Sequence, residues 1–142
     1  KYIAKFLDMP YIKVYEVATF YSMYNLAPVG KYFVQVCTTT PCMIRGAMHL
    51  VEACKEKISK NETELSNNKN CSWMEVECLG ACVNAPMMQI NEEYYEDLDK
   101  EKTLEILDKI LIGEIPKPGS YRGRTNNEPE NNRKTLMDLK DA

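Results

Sequence analysis

Lys31-Tyr32-Phe33-Val34-Gln35-Val36-Cys37, followed at once by Thr38-Thr39-Thr40-Pro41-Cys42, is the stretch whose reading decides the fold. Its β-branched and aromatic residues, apolar on both faces, predict a central strand ending at the first cysteine. Thr40 is a candidate N-cap and Pro41 a candidate first helical residue, so a helix should open across the second cysteine. Ile44, Ala47, Val51, Cys54 and Ile58 then step by three, four, three and four, which lays one apolar stripe along that helix. Cys54 belongs to the stripe and reads as a small buried hydrophobe.

Downstream, residues 61–70 are polar and Asn-rich, as expected of a surface loop, with Cys71 at its end and without a role. Trp73-Met74-Glu75-Val76-Glu77-Cys78 alternates like a half-buried strand, with Met74, Val76 and Cys78 on one face. The second cysteine pair, Cys78 and Cys82, thus also begins where a strand ends. Met87, Met88 and Ile90, a polar turn at Asn91, and Tyr94 with Tyr95 read as a hairpin. Pro86 is expected to be trans, since cis X-Pro bonds are roughly 5% of cases. Asp99 can cap a last helix whose Leu104, Leu107 and Leu111 share a face, and Gly113 with Pro116 stops it. Upstream, two apolar segments flank Asp8-Met9-Pro10, and Val14, Val17, Ala18 and Tyr21 recur at helical spacing.

This order predicts an α/β (α+β) architecture, a mixed sheet with flanking helices, each cysteine pair occupying a loop after a strand. Residues 1–26 read as the end of an N-terminal helical segment, 27–113 as the core domain and 114–142 as an extended C-terminal tail. The tail lacks apolar periodicity and should be disordered unless a partner holds it, with Lys117, Arg122 and Arg124 available to an acidic surface. The chain starts at Lys1 rather than Met, as expected of a processed or truncated product.

Eighteen basic and 21 acidic residues among 142 give a net charge of −3, with no Lys/Arg block to follow a phosphate backbone, so nucleic acid is not expected as a partner. No run approaches the roughly 20 apolar residues of a membrane span, so direct membrane contact is not expected either. No nucleotide-binding glycine motif and no base beside a nucleophile is present, and no catalytic residue is expected. The cysteines carry the chemistry. A redox dithiol is the weakest reading, because neither C-x4-C nor C-x3-C matches C-x-x-C. Structural zinc is a stronger rival, although zinc knuckles favour two intervening residues and wider gaps suit a bulkier cluster. Rieske ligation needs two histidines, whereas His49 is the single one and lies mid-helix. On spacing a 2Fe-2S cluster is favoured and zinc stays open.

Val14-Tyr15-Glu16-Val17-Ala18-Thr19-Phe20-Tyr21, Cys37-Thr38-Thr39-Thr40-Pro41-Cys42 and Glu77-Cys78-Leu79-Gly80-Ala81-Cys82-Val83-Asn84-Ala85-Pro86, in this order, resemble one family. The chain is similar to the small 2Fe-2S flavoprotein subunit of respiratory NADH:ubiquinone oxidoreductase, complex I. The resemblance implies a thioredoxin-like domain in which Cys37, Cys42, Cys78 and Cys82 hold the cluster, with Gly80 and Thr39 as candidate contacts to it. It implies as partners a flavoprotein subunit that binds FMN, NADH and a 4Fe-4S cluster, and a large iron-sulfur subunit. The motif wording resembles mitochondrial members more than most bacterial ones, which implies the matrix side of the inner membrane, in the peripheral arm. Related subunits of soluble NAD-dependent hydrogenases or formate dehydrogenases are the alternative with the same chemistry. A zinc-holding assembly module is the alternative without it.

Overall fold

A computed structural model describes residues 1–129 and 131 of the chain. Two short helices come first, α1 (Tyr2–Phe6) and α2 (Tyr11–Phe20), followed by β1 (Tyr32–Cys37), α3 (Thr40–Ile44), α4 (Ala47–Lys57) and β2 (Cys71–Val76). A 3-10 turn (Cys82–Asn84), β3 (Met88–Ile90), β4 (Glu93–Glu96), α5 (Lys100–Leu111) and β5 (Gly119–Ser120) complete the order. The five strands form one mixed sheet in the order β2-β1-β3-β4-β5. β1 pairs parallel with β2 and antiparallel with β3, β3 and β4 form the expected hairpin, and β5 adds parallel to β4.

The core lies between one face of this sheet and the pair α4 and α5. Tyr32, Val34 and Val36 alternate toward the helices because strand side chains point to opposite faces in turn, and they meet Leu50, Val51, Cys54, Ile106, Leu107 and Ile110. The other parity of β1, Phe33 and Gln35, is only half-buried, so the strand is interior in the sheet without being sealed on both faces. Asp99 caps α5 as expected, its carboxylate accepting the Lys102 N–H at 2.8 Å. The buried face of α5 is Thr103, Ile106, Leu107 and Ile110, with Leu104 and Leu111 at its margin.

Several sequence expectations change. The helix after Cys37 breaks in two, because Gly46 adopts φ +101 and ends the first turn; the apolar stripe starts at Ala47, and Ile44 is 79% exposed. Thr39, rather than Thr40, holds the cap position of α3. Cys71 is not a loop residue. It opens β2 opposite Tyr32, fully buried, because Ser66 and Asn68 close the preceding turn and the Ser66 hydroxyl accepts its N–H at 3.0 Å. The core parity of β2 is accordingly Cys71 and Trp73, and Cys78 lies beyond the strand's end. The Ala85–Pro86 bond is cis rather than trans, within a segment where both residues are buried. α2 buries no residue and α1 buries Ala4 alone, and neither helix contributes to the core clusters of the domain.

The tail also departs from expectation. β5 extends the sheet, Pro116 is buried and accepts the Tyr95 hydroxyl, and Arg124 turns inward to Asp97 instead of outward to a partner. Segment 114–129 is held by this chain's own groups; the rest of the expected tail, apart from residue 131, falls outside the described residues.

Candidate functional site

Parallel pairing explains why the two cysteine loops meet. In a parallel pair both strands end at the same sheet edge, and Cys37 lies opposite Val76 in the β1/β2 register. The loop into α3 and the loop after β2 therefore leave the sheet side by side. The antiparallel β3 begins at that same edge, where the Cys37 N–H donates to Met87 O at 3.4 Å, and this draws in the segment between Cys82 and Met87.

Four sulfurs come together there. Cys37 and Cys42 are buried, Cys82 is half-buried and Cys78 is exposed. They meet two by two: Cys42 lies near enough to Cys37 for each to shift the other's pKa, and the Cys78 and Cys82 sulfurs are 3.3 Å apart. Thr39 stands close to both pairs: its hydroxyl is 3.3 Å from the Cys37 sulfur, and it contributes to lowering the Cys78 pKa. Backbone groups of Thr39 and Leu79 face Cys37, Met87 faces Cys42, and the Gly80 N–H donates to the Cys78 sulfur at 3.4 Å. Gly80 has φ +82 and nothing within 4 Å of where a Cβ would stand. Its part is therefore conformational: the left-handed backbone aims its N–H at sulfur.

The electrostatics split each pair. Burial works against a Cys37 thiolate, yet hydrogen bonds from Thr39, Cys42 and the neighbouring backbone outweigh it and hold the pKa below the ordinary thiol value. Burial, with the adjoining Cys37, pushes Cys42 up to about 12. The Gly80 N–H lowers Cys78, and Cys78 in turn raises Cys82. In each pair one sulfur is shifted down and the other up, and a bound metal displaces the protons from both. Burial alone raises Cys54 to about 12 and Cys71 to about 11, as befits packing residues that belong to the core. His49 is exposed on α4, beside Glu52 at 3.7 Å, and does not reach the site.

Two sulfur pairs, each able to serve one iron, fit the donor set of a 2Fe-2S cluster with four thiolates. The ring of backbone donors fits its net negative charge, which grows on reduction.

Spacing points to the four cysteines. It does not reveal the groups that hold their loops. Tyr94 Oη donates to Leu79 O at 2.7 Å, Arg124 Nη2 donates to Val83 O at 3.0 Å, and Asn84 Nδ2 donates to Glu96 Oε2 at 2.8 Å and to Asn126 O at 2.9 Å. All are long-range in sequence, and nothing in the local pattern marks them.

Fold and site together define a thioredoxin-like carrier of a 2Fe-2S cluster. The model of the thioredoxin-like [2Fe-2S] ferredoxin family matches residues 1–111; the chain belongs to that family, and its cofactor is a 2Fe-2S cluster. More particularly, it is 54% identical over 110 residues to a subunit of the NADH-quinone oxidoreductase of Rickettsia bellii, and 52% identical over 110 residues to the corresponding subunit from Rickettsia conorii. Each match covers 78% of this chain and 66% of the relative, so the chain spans just under two thirds of the length of these relatives. Among solved structures, an NAD+-reducing [NiFe]-hydrogenase in the H2-reduced state superimposes with a TM-score of 0.67 at 18% identity, over 80% of this chain and 19% of that one. The thioredoxin-like [2Fe-2S] ferredoxin of Aquifex aeolicus gives 0.51 at 23% identity, over 61% and 91%. At these identities both establish the fold alone. Among the described residues no helix is long and apolar enough to cross a membrane.

Proposed function

We propose that the chain is an electron-transfer subunit of an NADH-quinone oxidoreductase of the complex I type, with Cys37, Cys42, Cys78 and Cys82 as its cluster ligands. The observation that carries this is the convergence of the two sulfur pairs at one sheet edge under a ring of backbone donors. The bound cluster supplies one-electron transfer. The chain's residues bind and tune: Cys37 and Cys42 lie in the dry interior, Cys78 and Cys82 form the exposed side through which a partner is approached, and Thr39 and Gly80 direct hydrogen bonds at sulfur. In this reading oxidation of NADH belongs to a neighbouring flavoprotein subunit that holds FMN and a 4Fe-4S cluster. A large iron-sulfur subunit is the second partner.

In this reading residues 27–113 form the cluster domain, residues 1–26 an attached helical segment, and residues 114–129 fold back on the domain. The subunit sits in the peripheral arm. The finer assignment, to the matrix face of a mitochondrial inner membrane, rests on the motif resemblance, since the Rickettsia relatives are bacterial. A place in an NAD-reducing hydrogenase is the second reading, and the fold similarity to such an enzyme is compatible with it.

Iron and sulfide analysis with visible absorbance of the full chain tests the ligand set. Two irons and two sulfides per chain are expected, retained in Cys54→Ser and lost or spectrally altered in Cys37→Ser. A wild-type spectrum in Cys37→Ser, or zinc in place of iron in the native chain, refutes the assignment.

A further inference from the structure

The 3-10 turn that carries Cys82 is too short to hold itself. It contributes one internal bond, Asn84 N–H to Ala81 O at 3.0 Å, and closes with Ala85 N–H on Cys82 O at 3.3 Å. Most of its remaining anchorage comes from far along the chain. Arg124 Nη2 donates to Val83 O, Asp97 N–H donates to Asn84 O at 2.8 Å, and the Asn84 amide reaches Glu96 and Asn126. Asn84 is 1% exposed, so these bonds are made out of solvent.

Arg124 is the hub. Its side chain is 8% exposed and that of Asp97 fully buried, and the guanidinium grips both carboxylate oxygens, through Nε at 2.9 Å and through Nη2. Its Nη1 donates to Glu128 O at 3.0 Å, and its own N–H donates to Ser120 Oγ at 3.3 Å, while that hydroxyl donates to Asp97. A planar fork of donors can satisfy a carboxylate and two carbonyls at once, which an ammonium cannot. β5 fixes the near end of this segment to β4.

We propose that residues 119–128 form a strap whose function is to hold the Cys82 turn in ligating register, with Arg124 as the positioning residue. The strap lies beyond the residues matched by the family model, 1–111, and rests on the reading of Cys82 as a ligand. Asp97 orients the guanidinium, and the guanidinium fixes Val83 O, one residue from the ligand. The inner pair, Cys37 and Cys42, is set by β1 and α3 and has no such dependence. The strap therefore acts on one side of the cluster.

The test uses the full chain with its cluster, as wild type, Arg124→Ala and Arg124→Lys. Three quantities are read well below the melting temperature of each: the rate of cluster loss to a chelator, the midpoint potential, and the reduced-state EPR line shape. Far-UV circular dichroism monitors the fold. Arg124→Ala should bleach roughly tenfold faster, the weight of one charge-assisted hydrogen bond, with a changed EPR line shape and unchanged dichroism. Arg124→Lys keeps a charge for Asp97 but not the fork, so it should fold like wild type and still bleach faster. Wild-type bleaching, potential and line shape in the lysine variant overturn the proposal, as does a loss of fold stability with no change at the cluster. Cys82→Ser separates the underlying assumption: a wild-type cluster in that variant sinks the ligand assignment, whereas an altered cluster there with wild-type Arg124 variants sinks the strap alone.

Discussion

Asp97→Asn should cost the folded chain about 2–3 kcal/mol at neutral pH. The wild-type side chain is wholly buried and accepts from the Arg124 guanidinium and the Ser120 hydroxyl. Breaking one partner of a buried pair costs about 3–5 kcal/mol, because the other charge is left uncompensated. Arg124 has an escape that a deeply buried cation lacks: the strap can peel away and return the guanidinium to water, giving up the two-residue β5 pairing. That limits the loss and places it at or below the lower figure. Burial works against the Asp97 charge, but Arg124 and Ser120 outweigh it and hold the carboxyl below the usual range. A depressed folded pKa contributes stability that is fully present above the unfolded value, about 3.9, and is lost as pH falls through the folded value. The gap between wild type and Asp97→Asn should therefore be constant from about pH 6 to 8 and should narrow below about pH 4. Urea denaturation of both chains across pH reads this directly. A gap under about 0.5 kcal/mol at pH 7, the size of an ordinary surface change, or one that widens in acid, refutes the account. Replacing Asp97 and Arg124 together by leucine should be milder than Asp97→Asn alone.

At Gly80, an added Cβ meets no atom but must adopt φ +82, so Gly80→Ala should cost about 1–2 kcal/mol of loop stability and shift the midpoint potential by turning the N–H away from Cys78; Gly80→Asn, which tolerates this conformation, should shift it less. Equal potentials in all three chains would show that the backbone conformation is immaterial. Asp99→Ala removes the N-cap of α5 and should lower stability by about 1 kcal/mol in thermal unfolding, with the cluster spectrum unchanged because the cap lies outside the cysteine site.

Much of this is legible in local pattern. The strand ending at Cys37, the hairpin turn at Asn91 and the cap at Asp99 all depend on neighbours in sequence, and so their side chains announce them. The broken helix is not legible, because the stripe from Ile44 to Ile58 fits an unbroken helix and Gly46 is compatible with either outcome. Cys71 escapes a local reading because a strand's first residue looks the same as a loop's last until its partner, Tyr32, is known. The tail escapes it for a related reason: the short β5 pairing, Arg124 and the bonds from Tyr95 and Asn84 hold it, and none of these has a period.

By itself the sequence determined the chemistry available to this protein: four cysteines in two close pairs, each following a strand, with a glycine where the backbone must turn left-handed. That follows because the donor set and short-range backbone preference are properties of adjacent residues. The tertiary structure alone decided that the pairs face each other, through the parallel register of β1 and β2, and that a buried Asp97–Arg124 pair ties the Cys82 turn to the chain's far end. Contacts that close loops of many residues draw their energy from burial and charge pairing across the fold, and no window of sequence contains both partners.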